Sequence, residues 1–211
     1  MARLIDVGLE RVSDLLMDMA VLSEKSVSAS IEAYASGKNR AEEIRSWSDE
    51  LRQLQDDVSE LAIDVITRYQ PVASDLRFIK AAMEISYGFS RFGRYAYDIA
   101  DVLELCGDLH VCDKSVVELT AKTTKEMIRM SVEAFSNRDV ELARNVQKLD
   151  DFVDDKFRES VDRVINEQVG DIQCAVSEAL ILRYLERISD HSSYIGDSVV
   201  YIVTGERTPR K

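Results

Sequence analysis

The chain has 211 residues, 45% of them hydrophobic, with a formal net charge of −12, enough to bury a continuous core as one elongated domain or two small ones without disulfide staples. Eight Gly and two Pro among many Leu, Ala, Glu, Lys and Arg are the composition of long helices. The acidic balance excludes a nucleic-acid backbone as the main partner, which would need clustered Lys and Arg, and permits cation binding.

Leu4, Val7, Val12, Leu15, Leu16, Met19, Leu22 and Val27 return to one side of a 3.6-residue period, which predicts a first helix from about Leu4 to Tyr34. Ser36-Gly37-Lys38-Asn39 is a turn signal, with Gly37 able to take the left-handed conformation that ends helices. A second helix is expected over roughly Ala41 to Arg68. Pro71 stops it, because Gln70 is pushed out of helical geometry and proline lacks the N–H of a helix interior. The third helix runs from about Val72 to Leu105, and Cys106 to Asp113 is a polar break. A fourth helix carries Val116, Leu119, Met127, Met130 and Phe135, up to a turn at Asn137-Arg138-Asp139. The fifth places Leu142, Val146, Leu149, Val153, Phe157, Val161 and Val164 on one stripe and is expected to end near Gly170. The sixth spans about Ile172 to Val203 before a polar tail. Trp47, Phe78, Phe89, Tyr95 and Tyr184 read as packing residues, and Met17, Met19, Met127 and Met130 as gap-fillers at helix crossings.

Two helix triplets of matching length point to an internal repeat. Ile31-Glu32-Ala33-Tyr34 matches Val132-Glu133-Ala134-Phe135, Ser48-Asp49-Glu50-Leu51 matches Asp150-Asp151-Phe152-Val153, and Phe89-Ser90-Arg91-Phe92-Gly93 matches Leu185-Glu186-Arg187-Ile188-Ser189. The expectation is an all-α protein of two tandem three-helix bundles sharing an extended core, residues 1–107 and 108–206, with a tail over 207–211. No apolar run approaches the roughly 18 residues of a membrane span, and Met1 to Asp14 carries acids where a signal peptide would be apolar, so a cytoplasmic location is expected.

Three cysteines, Cys106, Cys112 and Cys174, do not make a disulfide framework and fit a reducing compartment. Cys106, His110 and Cys112 match no common zinc spacing, so the stretch reads as a linker with buried thiols. No phosphate loop, nucleophile elbow or zinc motif is present, which argues against conventional catalysis. Carboxylates at helical spacing are present: Asp150 with Asp154, and Glu186 with Asp190, four apart. Glu186, Asp190 and Asp197 share one side of the sixth helix, opposite the stripe Leu185, Ile188, Ile195, Val199 and Ile202. Clustered carboxylates repel unless a cation neutralises them, and hard oxygen ligands suit Mg²⁺, Ca²⁺, Mn²⁺ or iron. From the residues alone the simpler reading is a solvated acidic face balanced by neighbours such as Arg187 and Lys156. His191 reads as a partner of Asp190 or a polar surface residue, the latter being favoured.

Arg68-Tyr69-Gln70-Pro71-Val72-Ala73-Ser74-Asp75-Leu76-Arg77-Phe78-Ile79 resembles the signature joining the second and third helices of the first repeat of the PhoU family. Arg183-Tyr184-Leu185-Glu186-Arg187-Ile188-Ser189-Asp190-His191, followed by Val199 to Glu206, is similar to the end of the second repeat. The resemblance covers nearly the whole chain. It implies a pair of three-helix bundles and a non-enzymatic cytoplasmic regulator of phosphate uptake. Such a regulator acts by contact with the phosphate ABC transporter ATPase, a sensor kinase or both, peripheral to the membrane through a transporter and expected as a homodimer. An accessory regulator of a different transporter or channel is the alternative. A carboxylate-bound di-iron bundle enzyme is disfavoured, because the chain has no Glu-x-x-His pair.

The resemblance also implies metal or iron binding at acidic motifs, a glutamate or aspartate followed four residues later by aspartate. Glu186 and Asp190 match the motif, Asp150 and Asp154 are the counterparts on the preceding helix, and Asp197 extends the face. The first repeat departs: Ser90 and Arg94 stand where two metal-binding carboxylates belong, and Arg52 and Gln55 where acids are usual. Metal is therefore expected in the second repeat only. Arg94 or Arg52 would act in the first as a substitute cation for acids such as Glu24, Asp49 or Asp98.

Overall fold

The structure is a computed structural model that describes residues 3–166 and 168–207; Met1, Ala2 and the tail residues 208–211 lie outside them. Six helices follow one another: α1 Leu4–Ser36, α2 Ala41–Tyr69, α3 Ala73–Cys106, α4 Ser115–Asn137, α5 Val140–Ile165 and α6 Ile172–Thr204. Their ends follow from local chemistry. Gly37 closes α1 with φ 69°, a left-handed geometry that costs glycine little. Gln70 closes α2 at φ 45°, and its N–H donates to the Ile66 carbonyl, 3.2 Å. Proline at the next position thus ends the helix through a left-handed residue rather than an extended one. Asp139 and Asp171 accept hydrogen bonds from the amides of Leu142 and Cys174, each 2.9 Å, capping α5 and α6.

The fifth helix stops earlier than the expected end near Gly170. The Asn166 backbone and side-chain amides both donate to the Asp162 carbonyl, 3.0 and 2.8 Å, so a local side-chain bond marks the last turn.

Helices α1, α2 and α3 pack on one another, as do α4, α5 and α6, so the chain forms two three-helix bundles. The repeat anchors occupy equivalent environments: Leu51 on α2 and Val153 on α5 are both fully buried, and Tyr34 and Phe135 near the ends of α1 and α4 are both buried. The bundles meet along α3 and α6, and along α1 and α4. At the first seam Lys80 lies over Tyr201, a Cβ on Gly88 would meet Ile195, and Tyr95 stacks on Tyr184 at 6.3 Å. Partner numbers fall along α6 as they rise along α3, so the two helices are antiparallel and relate the bundles by a pseudo-two-fold axis. One hydrophobic cluster runs through both, from Val12, Leu16, Ile79 and Phe92 to Ile128, Leu185 and Val199. A small satellite of Met127, Val146 and Val153 sits under α5. No described helix is long and apolar enough to cross a membrane.

One expectation about the cysteines fails. Cys112, in the inter-repeat linker, is disulfide-bonded to Cys174 in the first turn of α6, with Cα atoms 5.4 Å apart. Cys106 alone is a free thiol. His110 Nδ1 donates to the Asp108 carboxylate, 2.8 Å, and the linker cysteines and histidine do not come together as a ligand set.

Candidate metal centre

The α5–α6 hairpin builds the acidic site. Asp150 and Asp154 stand one turn apart on α5, and Asp190 projects from α6 beside them. One oxygen from each of the three lies within 4.8 Å of the others. Ser189, next to Asp190, donates its hydroxyl to Asp150 Oδ1 at 2.6 Å and fixes that carboxylate across the hairpin. Two oxygens on opposite sides of an ion with bonds of ~2.1 Å are about 4.2 Å apart. The three aspartates therefore need only small rotations to close on a Mg²⁺-sized ion, and less for Ca²⁺.

Glu186 stands one turn before Asp190. Its Oε1 accepts from Arg183, 2.8 Å, while Oε2 is buried and meets no hydrogen-bond donor among the described residues. A buried carboxylate oxygen without a donor is costly and is the feature a cation would satisfy. Burial, with the Asp190 and Asp154 charges and against the opposing Arg183 and Arg187, pushes the Glu186 carboxyl up to about 7. Burial also raises Asp190, against Arg187. The donor set is all oxygen and all acidic, the chemistry of a hard cation.

These acids do not form the open solvated face that the sixth helix alone suggests. Side-chain exposure is 13% for Glu186, 23% for Asp154 and 24% for Asp190. The position of α5 explains this. It packs along the flank of α6 and covers a side that a single-helix wheel assigns to solvent. Each of these three acids is met by an arginine one turn away on its own helix: Arg158 on Asp154, 2.8 Å; Arg183 on Glu186, 2.8 Å; Arg187 on Asp190, 3.4 Å. Arg158 and Arg183 went unread in the sequence, although their i+4 and i−3 spacings were visible. Lys156 instead pairs with Glu159, 2.7 Å. Asp197 lies two turns beyond Asp190, where it accepts from Gln147 at 2.5 Å; it lines an open groove with Lys80, Tyr201 and Arg207 rather than joining the cluster.

His191 is not a plain surface residue. Its ring sits among Tyr87, Tyr95 and Tyr194, with centroids 5.7 to 5.9 Å away. Burial, helped by Arg91 and Arg187, pushes the imidazole down to about 4.

In the first repeat the equivalent positions carry other chemistry. The repeat alignment sets Ser48, Arg52, Ser90 and Arg94 against Asp150, Asp154, Glu186 and Asp190. Arg94 Nη2 lies 2.9 Å from Asp98 Oδ1, and Arg52 Nη2 lies 3.4 Å from Asp49 Oδ1. Glu24 is taken by Arg129 of α4, 2.6 Å.

A duplicated three-helix bundle with an acid-lined hairpin in its second half defines the class: an all-helical protein of two tandem repeats. The chain belongs to the PhoU domain family, whose model matches residues 16–103 and 117–199. It is 28% identical over 211 residues to a phosphate-specific transport system accessory protein PhoU homolog of Clostridium acetobutylicum, covering 97% of this chain and 96% of that one. A Pseudomonas aeruginosa relative of the same description is 29% identical over 205 residues, covering 93% and 84%. The crystal structure of PhoU from Pseudomonas aeruginosa superposes with a TM-score of 0.88 at 27% identity, covering 95% of this chain and 99% of that one. The phosphate transport system regulatory protein PhoU from Streptococcus pneumoniae shares the fold, with a TM-score of 0.88 at 21% identity over 98% and 100%.

Proposed function

We propose that this chain is a regulator of phosphate uptake that works by contact with a phosphate transporter's ATPase or its signalling kinase, and that its second repeat holds a divalent cation or iron through Asp150, Asp154, Glu186 and Asp190. The regulatory reading rests on the family membership over nearly the full length and carries no reaction. The buried, donorless Glu186 Oε2 beside three converging aspartates supports the metal reading. A bound cation would supply positive charge that ties α5 to α6 and stiffens the surface the hairpin presents. The chain's own part is to hold the carboxylates: Ser189 orients Asp150, and Arg158, Arg183 and Arg187 neutralise the others.

The first repeat takes no cation in this reading, because Arg52 and Arg94 occupy ligand positions and are themselves the counter-charges for Asp49 and Asp98. Residues 1–107 and 108–206 are then unequal halves of a homodimer-forming protein. That inequality favours one second reading, a regulator of the same kind acting on a different ion transporter or channel.

Titration calorimetry with Mg²⁺, Mn²⁺ and Fe²⁺ tests the metal. Wild type should give a saturable heat that Asp190→Ala loses and Arg94→Ala keeps, and equal heats in wild type and Asp190→Ala would overturn the assignment. Co-purification with the phosphate transporter's ATPase or the kinase tests the partner, and capture of an unrelated transporter would favour the second reading.

A further inference from the structure

The disulfide lies where the two repeats are joined. The linker between α3 and α4 is held to the first repeat by Lys114, whose ammonium donates to the Ala35 carbonyl at 3.0 Å and lies 5.3 Å from the centre of the Tyr34 ring. It is held to the second by Gln173, whose side-chain amide donates to the Cys106 carbonyl and to that of Asp108, and by the Cys112–Cys174 bond. Leu109, between these anchors, is buried. The covalent link therefore fastens a segment already bridging both halves onto the first turn of α6. Cys112 falls between the two stretches matched by the family model, so the link uses a residue of this chain's own linker.

We propose that Cys112 and Cys174 are a reversible thiol–disulfide modification site, oxidised by small disulfides of the glutathione class, that latches the inter-repeat linker to α6. Both residues are only partly buried, one in the linker and one in the first turn of α6. The exchange balances through a mixed disulfide. One cysteine thiolate attacks the oxidant and expels a first thiolate; the second cysteine then attacks its partner's sulfur and expels another. Two protein thiols are oxidised, one external disulfide is reduced to two thiols, and the two protons pass to those thiolates. Burial pushes the remaining thiol, Cys106, up, which keeps it protonated and out of the exchange.

Reduction removes the covalent fastening and leaves the weaker ones, so the expected result is local loosening rather than unfolding. The full-length protein is equilibrated in glutathione buffers of graded oxidised-to-reduced ratio, quenched by alkylation and mapped by peptide mass spectrometry, with hydrogen exchange measured at both extremes. A Cys112–Cys174 linked peptide should appear in oxidised buffer, vanish in reduced buffer and persist in Cys106→Ser. Reduction should speed amide exchange across 107–114 and 172–176 by roughly tenfold or more, while the α1–α2 hairpin stays unchanged. Cys112→Ser should show the fast exchange in both buffers. The proposal is overturned by a link to Cys106, by mixed glutathione adducts without the link, by a link that resists reduced glutathione in the folded protein, or by equal exchange in the two states. None of these outcomes depends on metal binding.

Discussion

Glu186 concentrates the chemistry of the acidic site in one side chain. Its folded pKa of about 7 exceeds the ordinary carboxyl value of 4.5 because burial and the Asp190 and Asp154 charges favour the neutral acid. A carboxyl with a raised folded pKa binds more protons folded than unfolded, so its contribution is fully present below the unfolded value and is lost as pH rises through about 7. His191 has the opposite sign: its folded pKa of about 4 lies below 6.5, so stability is lost as pH falls from 6.5 toward 4. Between pH 6.5 and 8 the His191 contribution fades, and the loss from the acidic site, led by Glu186, sets the slope. Thermal melts of the chelator-treated protein should show Tm falling as pH rises across that window, and Glu186→Gln should flatten the slope. Adding a bound cation should remove it as well, since the ion takes the proton's place on the carboxylate. A slope unchanged in Glu186→Gln would show that Glu186 is not the titrating group.

Helix geometry decides how close the carboxylates of α5 and α6 can come. An ideal Cβ added at Gly196 would lie 2.8 Å from the Ala143 carbonyl oxygen, and that oxygen belongs to a helix backbone that cannot swing aside. Alanine gains about 1 kcal/mol in intrinsic helix propensity, but overpacking costs typically 1–3 kcal/mol. Gly196→Ala should therefore lower stability by up to about 2 kcal/mol in urea titrations and, by spreading the hairpin, weaken the proposed metal uptake. Gly170→Ala, with nothing within 4 Å of the new methyl, should leave stability unchanged or slightly raised. At this scale much was legible in the sequence. The order of six helices, the Gly37 cap, the stop before Pro71 and the apolar stripe of α6 each come from periodicity or local backbone chemistry. The early end of α5, at a turn where the Asn166 side chain meets the Asp162 carbonyl, is one that a Gly-based stop signal passes over. The burial of Glu186 and Asp190 was illegible because a helical wheel describes one helix against its own stripe and is silent about a neighbour on the flank. The disulfide was illegible for a different reason: its cysteines are 62 residues apart, and spacing alone does not say which thiols meet.

The whole molecule is held by a seam rather than by two closed units. The hydrophobic cluster crosses from one repeat to the other through α3 and α6, so neither triplet covers its own apolar surface. Expressed separately, 1–107 and 108–206 should be poorly soluble or associated, and mixing them should recover helical circular dichroism and a single sharp melt; two monomeric, cooperatively melting halves would refute this. The duplication itself was readable from three residue anchors in order, and the broken equivalence of the two halves from Ser90, Arg94, Arg52 and Gln55 standing where the family pattern places acids. That broken equivalence gives the molecule a polarity. A pseudo-two-fold shape offers any docking partner two poses half a turn apart that fit almost equally well. The acids of the α5–α6 hairpin and the Arg52–Asp49 and Arg94–Asp98 pairs that stand in their place in the first repeat make those poses electrostatically unlike, so a partner with a charged contact face should favour one orientation.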